Sequence, residues 1–227
     1  MKNSTVKKVK KRRIRFDRIL IFLFVVFIII GSIVFLLNLK ITNIYINNNN
    51  LLDDQYIIEM AGISNYPSSL KNPSFLIKKR ISSDSLIKNV KVYKKSFTKV
   101  YIEIVENQPL FYYEHNNKTI LNDGKEITTT YSVPTVINYI TDLYYDDFIK
   151  EMSKLDKNVL NMISEIKFFP NDVDDNRFLL TMSDGNLVYI NIETFNKLNK
   201  YFIIKESLPN KNGILYLDYG NNFEIIK

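Results

Sequence analysis

Nineteen consecutive residues, Ile19-Leu20-Ile21-Phe22-Leu23-Phe24-Val25-Val26-Phe27-Ile28-Ile29-Ile30-Gly31-Ser32-Ile33-Val34-Phe35-Leu36-Leu37, carry no charge and no proline. As a helix rising about 1.5 Å per residue the run would extend roughly 28 Å, close to the hydrocarbon thickness of a bilayer. The segment before it is strongly basic: Lys2, Lys7, Lys8, Lys10, Lys11, Arg12, Arg13, Arg15 and Arg18 stand against Asp17 alone, a net +8. Lys40 is the only nearby charge on the far side. By the positive-inside rule the N-terminus faces the cytoplasm, with Lys10, Lys11, Arg12, Arg13, Arg15 and Arg18 as orienting residues. The expected organisation is a basic cytoplasmic tail at 1–18, a transmembrane helix at 19–39 and an extracytoplasmic remainder. A cleaved signal peptide is the rival reading, but its apolar stretch is shorter and ends in small residues of the A-x-A kind. The sole Ala of this chain is Ala61, which leaves Gly31-Ser32 as the alternative cleavage point.

The whole-chain charge of +7, less the tail's +8, leaves the other 209 residues at −1. The basic character therefore belongs to the tail, and a nucleic-acid role for the folded part loses its support. A juxtamembrane basic cluster instead suits anionic lipid head groups. There is no cysteine, so an external domain is held by its core alone, as suits a bacterial envelope better than a eukaryotic secretory route.

Beyond the membrane, residues 41–46 alternate as a strand and Asn47 to Asn50 form a turn. Asp53 caps a helix through Met60 that stops at Gly62, and Asn72-Pro73 starts a second, carrying Phe75, Leu76, Lys79 and Ile81. Residues 87–94, with Val90, Val92 and Ile87 inward, and 98–105, with Val100, Ile102 and Ile104 inward, read as strands joined at Lys95-Ser96-Phe97. The order β-α-α-β-β predicts a three-stranded sheet covered on one face by two helices. From residue 108 short strands are expected at 110–114, 118–121, 163–168, 177–182 and 187–192, with turns at Asn116-Asn117, Asp123-Gly124 and Asp184-Gly185. One helix is expected over 142–162, with Leu143, Phe148, Met152, Leu155, Val159 and Met162 at helical spacing, and another over 194–208. Final strands near 214–218 and 223–226 complete an α+β fold.

Catalytic signatures are absent: there is no P-loop, G-x-S-x-G or H-E-x-x-H, and no cysteine nucleophile. His115, the only histidine, sits beside Asn116-Asn117 in a turn and reads as an exposed side chain. Asp172-Val173-Asp174-Asp175-Asn176 resembles the start of a calcium loop, but Arg177 stands where Gly is needed and Ser183 where Glu is needed. The expected protein is non-enzymatic, with neither cofactor nor metal. Phe111-Tyr112-Tyr113 and Tyr144-Tyr145 read as packing more readily than as ligand platforms.

The order of parts resembles the FtsQ family of bacterial cell-division proteins, called DivIB in Gram-positive bacteria. The resemblance covers nearly the whole chain. Ile44-Tyr45-Ile46, the Asn turn and Asp53 to Gly62 are similar to the opening of that family's POTRA domain, and Val100 to Pro109 to its closing strand and Glu-x-x-Pro step. Leu121-Asn122-Asp123-Gly124, Val133-Pro134, and the stretch from Asp184-Gly185-Asn186 to Phe223 resemble landmarks of its β domain. Asn107 stands where Arg is often found, no Gly follows Val133-Pro134-Thr135, and no long tail is expected after the β domain.

The resemblance implies a POTRA domain at 40–107 and an FtsQ/DivIB β domain at 108–227. It further implies a divisome scaffold at the septal plasma membrane that binds FtsL-like and DivIC- or FtsB-like bitopic partners and helps control septal peptidoglycan synthesis. In the family the partner pairs with the C-terminal edge of the β domain, here expected to be Ile214, Leu215, Tyr216, Leu217, Asp218 and Tyr219 with Phe223. An exposed edge offers unpaired backbone groups to another chain. The competing reading is a POTRA-bearing secretion or assembly component.

Overall fold

A computed structural model of the chain describes residues 15–208, 212–220 and 222–226. The apolar run forms helix α1, Phe16–Asn38, which begins before and ends just short of the expected span. It is long and apolar enough to cross a membrane, and none of its side chains is buried by protein. A helix apolar on every side finds its burial in lipid.

The chain divides into two compact units. One comprises the described residues up to Asn47, Asp54–Arg80 and Lys91–Glu103; the other comprises Asn48–Asp53, Ile81–Val90 and the described residues from Ile104. After α1 come β1 (Asn43–Asn47), α2 (Asp54–Ala61), α3 (Ser74–Ile81), β2 (Ile87–Ser96) and β3 (Lys99–Glu106), the expected β-α-α-β-β order. Their sheet runs β1-β3-β2, with β1 parallel to β3. Gly62 ends α2 with φ +66°, a conformation that penalises any side chain, and a Cβ there would press on the Arg80 guanidinium at 2.8 Å. Val100 and Ile102 alternate inward on β3, and Ile57, Ala61 and Ile77 are the buried residues of the helices in this unit. On α3, Ile77 and Ile81 are buried, whereas Phe75 is 72% exposed. Being two residues on, Ile77 lies about half a turn round the helix from Phe75.

The larger unit holds a nine-stranded mixed sheet. Its strands are β4 (Pro109–Tyr113), β5 (Lys118–Leu121), β6 (Glu126–Ile127), β7 (Thr135–Val136), β8 (Ile163–Phe168), β9 (Arg177–Met182), β10 (Leu187–Asn191), β11 (Gly213–Tyr216) and β12 (Asn222–Ile225). They are ordered β12-β11-β10-β9-β8-β7-β4-β5-β6. Alternate residues Phe178, Leu180 and Met182 on β9, and Val188 and Ile190 on β10, join one core. Its centre is aromatic: Phe148 stacks on Phe178 at 4.7 Å and meets Phe195 edge-on at 5.7 Å. Pairs in these geometries add to what their buried area already contributes.

Two expected helices are broken. Instead of one helix over 142–162 there are α4 (Asp142–Met152) and α5 (Lys157–Leu160). The freed backbone groups find a partner from afar, because Asn199 accepts from the Asp156 N–H at 2.8 Å and donates to the Lys154 carbonyl at 3.1 Å. Phe148, Met152, Leu155 and Val159 stay in the core, whereas Leu143 is exposed. The expected helix over 194–208 is a 3₁₀ helix, Ile192–Lys200, continuing as α6, Tyr201–Glu206. Phe195, Leu198 and Tyr201 are all buried. Their spacing of three is the period of a 3₁₀ helix, which keeps them in one row over the sheet.

Asp184, in the β9–β10 turn, anchors α6. It pairs with Lys205 at 2.7 Å and accepts the Tyr201 hydroxyl at 3.0 Å. Burial alone would raise its pKa, but the Lys205 ammonium, the Asn186 N–H and the Tyr201 hydroxyl together hold it below the ordinary carboxylate value. The resulting stabilisation is complete above the unfolded value of about 3.9 and is lost as pH falls toward the lower folded value. Denaturant midpoints measured at pH 7, 5 and 3 should therefore show a steeper acid loss for the native chain than for Asp184→Asn.

Candidate functional site

The C-terminal rim of the large sheet combines free backbone with a fixed polar and aromatic support. Gly185, with φ +86°, makes the tight β9–β10 turn. Beyond it, Asn186 donates its amide to the Tyr201 hydroxyl at 3.0 Å and accepts the Gly213 N–H at 3.0 Å. One buried side chain thereby fixes where β11 begins. β11 runs parallel to β10, in the register Leu187↔Ile214 to Tyr189↔Tyr216. The Tyr189 carbonyl accepts from the N–H groups of both Leu217 and Asp218, at 2.8 and 3.2 Å.

The expectation that Ile214 to Tyr219 form the rim is corrected. Ile214, Leu215 and Tyr216 lie in β11, an interior strand, while Leu217, Asp218 and Tyr219 lead out of it toward β12. β12 folds back antiparallel, Gly213↔Ile225 to Tyr216↔Asn222, and is the outermost strand among the described residues. Gly213 permits this close return, since a Cβ there would run into the Glu224 carbonyl and the Phe223 ring. The Ile226 N–H donates inward to the Asn212 carbonyl at 3.1 Å. Antiparallel alternation then turns the backbone groups of Glu224 and Asn222 toward β11 and those of Phe223 and Ile225 outward. Of the residues expected at the edge, Phe223 alone lies on the outer strand, and sequence reasoning missed Ile225. The signal was available in the N-G-I-L-Y-L-D-Y-G pattern, whose second turn sends the chain back.

The face of this sheet away from the core carries a band of stacked side chains. Arg177 lies over the Tyr189 ring at 3.7 Å, and Tyr189 stacks on Tyr216 at 5.4 Å. The Tyr216 hydroxyl donates to Glu224 on the rim strand at 3.2 Å. Burial, and then this contact with Glu224, raise the Tyr216 pKa. Arg177 also pairs with Asp218 at 2.6 Å, the two side chains being 12% and 1% exposed. Lys197 donates to the Leu217 carbonyl at 3.0 Å. A shallow cleft lined by Arg177, Tyr216, Asp218, Tyr219, Phe223 and Glu224 opens beside the rim. Such a site can pair a backbone and seat apolar side chains.

Of the expected orienting residues, Lys10, Lys11, Arg12 and Arg13 lie outside the described residues. Arg15 immediately precedes α1 and Arg18 is in its first turn. His115 is exposed beside Tyr139. In the loop that faintly resembled a calcium site, the Asp174 carboxylate accepts from the Asn191 amide at 2.9 Å and from the Asn176 N–H at 3.3 Å. These bonds explain Asp174 as a structural residue.

Removing one member of a buried ion pair leaves the other uncompensated. Asp218→Asn should cost about 3 kcal/mol of stability, read as a lower denaturant midpoint, together with faster hydrogen exchange at Leu217 and along β11.

Residues 39–107 match the FtsQ-type POTRA domain family. The chain is 26% identical over 230 residues to the cell division protein DivIB of Bacillus subtilis, covering 96% of this chain and 87% of that protein. It is 26% identical over 231 residues to the DivIB of Listeria monocytogenes, covering 95% and 83%. Against the DivIB of Leuconostoc kimchii it is 29% identical over 154 residues, 64% of this chain and 62% of that one. The major extracytoplasmic domain of DivIB from Geobacillus stearothermophilus, in its trans isomer, aligns over 46% of this chain and 95% of its own length, at 23% identity and TM-score 0.39. These relatives are named as cell division proteins, and the POTRA match falls on the β-α-α-β-β segment that follows a single membrane-length helix. Residues 39–107 thus form an FtsQ-type POTRA domain, and over nearly its whole length the chain is similar to DivIB cell division proteins, with an N-terminal helix long and apolar enough to cross a membrane.

Proposed function

We propose that the chain is a non-enzymatic divisome scaffold whose C-terminal rim takes up a strand from a bitopic partner of the FtsL and DivIC or FtsB type. In this reading residues 1–18 stay in the cytoplasm, residues 40–107 act as the POTRA module and residues 108–227 as the partner-binding β domain. The observation that carries it is the rim itself: the outward backbone groups of Phe223 and Ile225 on an uncovered strand. An added strand gains a row of main-chain hydrogen bonds there, and alternate side chains supply specificity.

The residues behind the rim then act as its support. Ile214, Leu215 and Tyr216 hold β12 in register, and Leu217 and Asp218 tie the turn to Tyr189 and Arg177. Tyr219, 56% exposed, and Phe223 line the cleft where a partner side chain would sit. Scaffolding of this kind would act on septal peptidoglycan synthesis indirectly, through the assembled partners.

Proline removes an N–H, so its cost depends on which way that N–H points. Ile225→Pro removes an outward one and should abolish capture of a DivIC-type ectodomain in a pull-down while leaving the unfolding midpoint within about 1 kcal/mol of native. Glu224→Pro removes an inward one and should lower both. Capture of the partner by Ile225→Pro at native strength would eliminate strand addition at this rim. In dividing cells, an N-terminal fluorescent fusion whose α1 is exchanged for an unrelated span should still concentrate at the septum. A uniform membrane rim would remove the ectodomain-driven division role.

A further inference from the structure

We propose that the end of the first unit nearest the exit of α1 docks onto the anionic surface of the bilayer that α1 crosses. The proposal rests on the single-span reading of Phe16–Asn38 and goes beyond partner binding. The geometry begins at the last helical turn. The Ser68 hydroxyl donates to the Leu37 carbonyl at 2.6 Å, the Ser69 N–H donates to the Leu39 carbonyl at 2.8 Å, and Lys40 bridges to Ser68. Leu37 closes the apolar run, so residues 67–69 are held where hydrocarbon gives way to head groups. Two residues of chain reach at most about 7 Å, and the interfacial layer on one side of a bilayer is roughly 5–7 Å deep. Tyr66 and Leu70, each two residues from Ser68, are therefore within reach of lipid.

A second loop is fastened at the same end. The Thr98 carbonyl accepts from the N–H groups of Thr42 and Asn43, at 2.9 and 3.1 Å, which places the β2–β3 turn beside the chain as it leaves the membrane. Phe97 in that turn is 52% exposed and Tyr66 is 63% exposed. Leu70, Pro73 and Phe97 line one shallow apolar cleft. The loop that presents Leu70 is tied down by hydrogen bonds. Lys94 donates to the Ser69 carbonyl, the Ser69 hydroxyl and the Asn72 carbonyl at 2.7, 2.9 and 2.7 Å, and Arg80 donates to the Asn72 side chain at 2.9 Å. Lys94 is thus spent inside the loop, while Lys71 and Lys40 are exposed. Aromatic and aliphatic side chains flanked by lysines at the exit of a span have the composition of an interfacial contact.

The chain has no cysteine of its own, so single cysteines can carry an environment-sensitive fluorophore in the full-length protein. The samples are nanodiscs of phosphatidylcholine with or without phosphatidylglycerol, with a spin-labelled lipid as a shallow quencher. Labels on Leu70→Cys and Phe97→Cys should be blue-shifted and quenched in anionic discs. A label on Asn47→Cys, at the opposite end of β1 from this turn, should stay water-exposed. Adding Lys71→Gln to Leu70→Cys should cut the docked population about fivefold, the contribution of one lysine near an anionic surface. Labels at 70 and 97 as accessible as the one at 47 would overturn the proposal, as would quenching that appears only after a partner ectodomain is added. A label on Phe35→Cys reports the anchor: protection there with exposure at 70 and 97 defeats the docking alone, whereas exposure at 35 defeats the span itself.

Discussion

The parallel pairing of β10 with β11 is the constraint around which the C-terminal half is arranged. Two parallel neighbours cannot be joined by a tight turn, so the chain must cross back over the sheet between them. Residues 192–206 make that crossing as a 3₁₀ helix followed by α6. The crossing supplies Phe195, Leu198 and Tyr201 to the core. Its exit is held by Asn186, which ties the Tyr201 hydroxyl and the Gly213 N–H to the same buried amide. Without that tie β11 would have no fixed start, and the rim built on it would have no fixed register.

Satisfaction of polar groups explains much of the irregularity. The gap between α4 and α5 persists because Asn199 serves both broken ends. Asp218 is tolerated in a nearly buried position because Arg177 meets it and is itself laid flat on Tyr189. A guanidinium suits both tasks, since its plane stacks while its edge donates. Aromatic side chains stack across strands as well, Tyr189 on Tyr216 in the large sheet and Tyr45, Tyr101 and Tyr93 in the small one, and such cross-strand pairs support a sheet.

The division of labour in the protein follows from where backbone groups remain unpaired and where apolar side chains remain exposed. At the C-terminal end of the large sheet, unpaired backbone lies on β12, the last described strand. In the first unit, Tyr66, Leu70 and Phe97 are among the exposed apolar side chains. The two proposals use these features separately: the exposed side chains against the bilayer and the free strand for a partner.

Local chemistry was enough to read the anchor, the β-α-α-β-β order, the inward residues of β3, and the turns at Gly62, Asp123-Gly124 and Asp184-Gly185. Each depends on periodicity or on a backbone conformation that few residues adopt, and both are written residue by residue. The likeness to DivIB proteins was also legible, because it lay in the order of these parts. The break between α4 and α5 was not, since the group that stabilises it, Asn199, is more than 40 residues away. Nor was the identity of the rim. A strand's side-chain pattern is the same whether a further strand lies beside it or not, so Ile214 to Tyr216 read as an edge from sequence. Only the return of β12 across Gly213 decided that they are interior and that the free backbone belongs to Phe223 and Ile225.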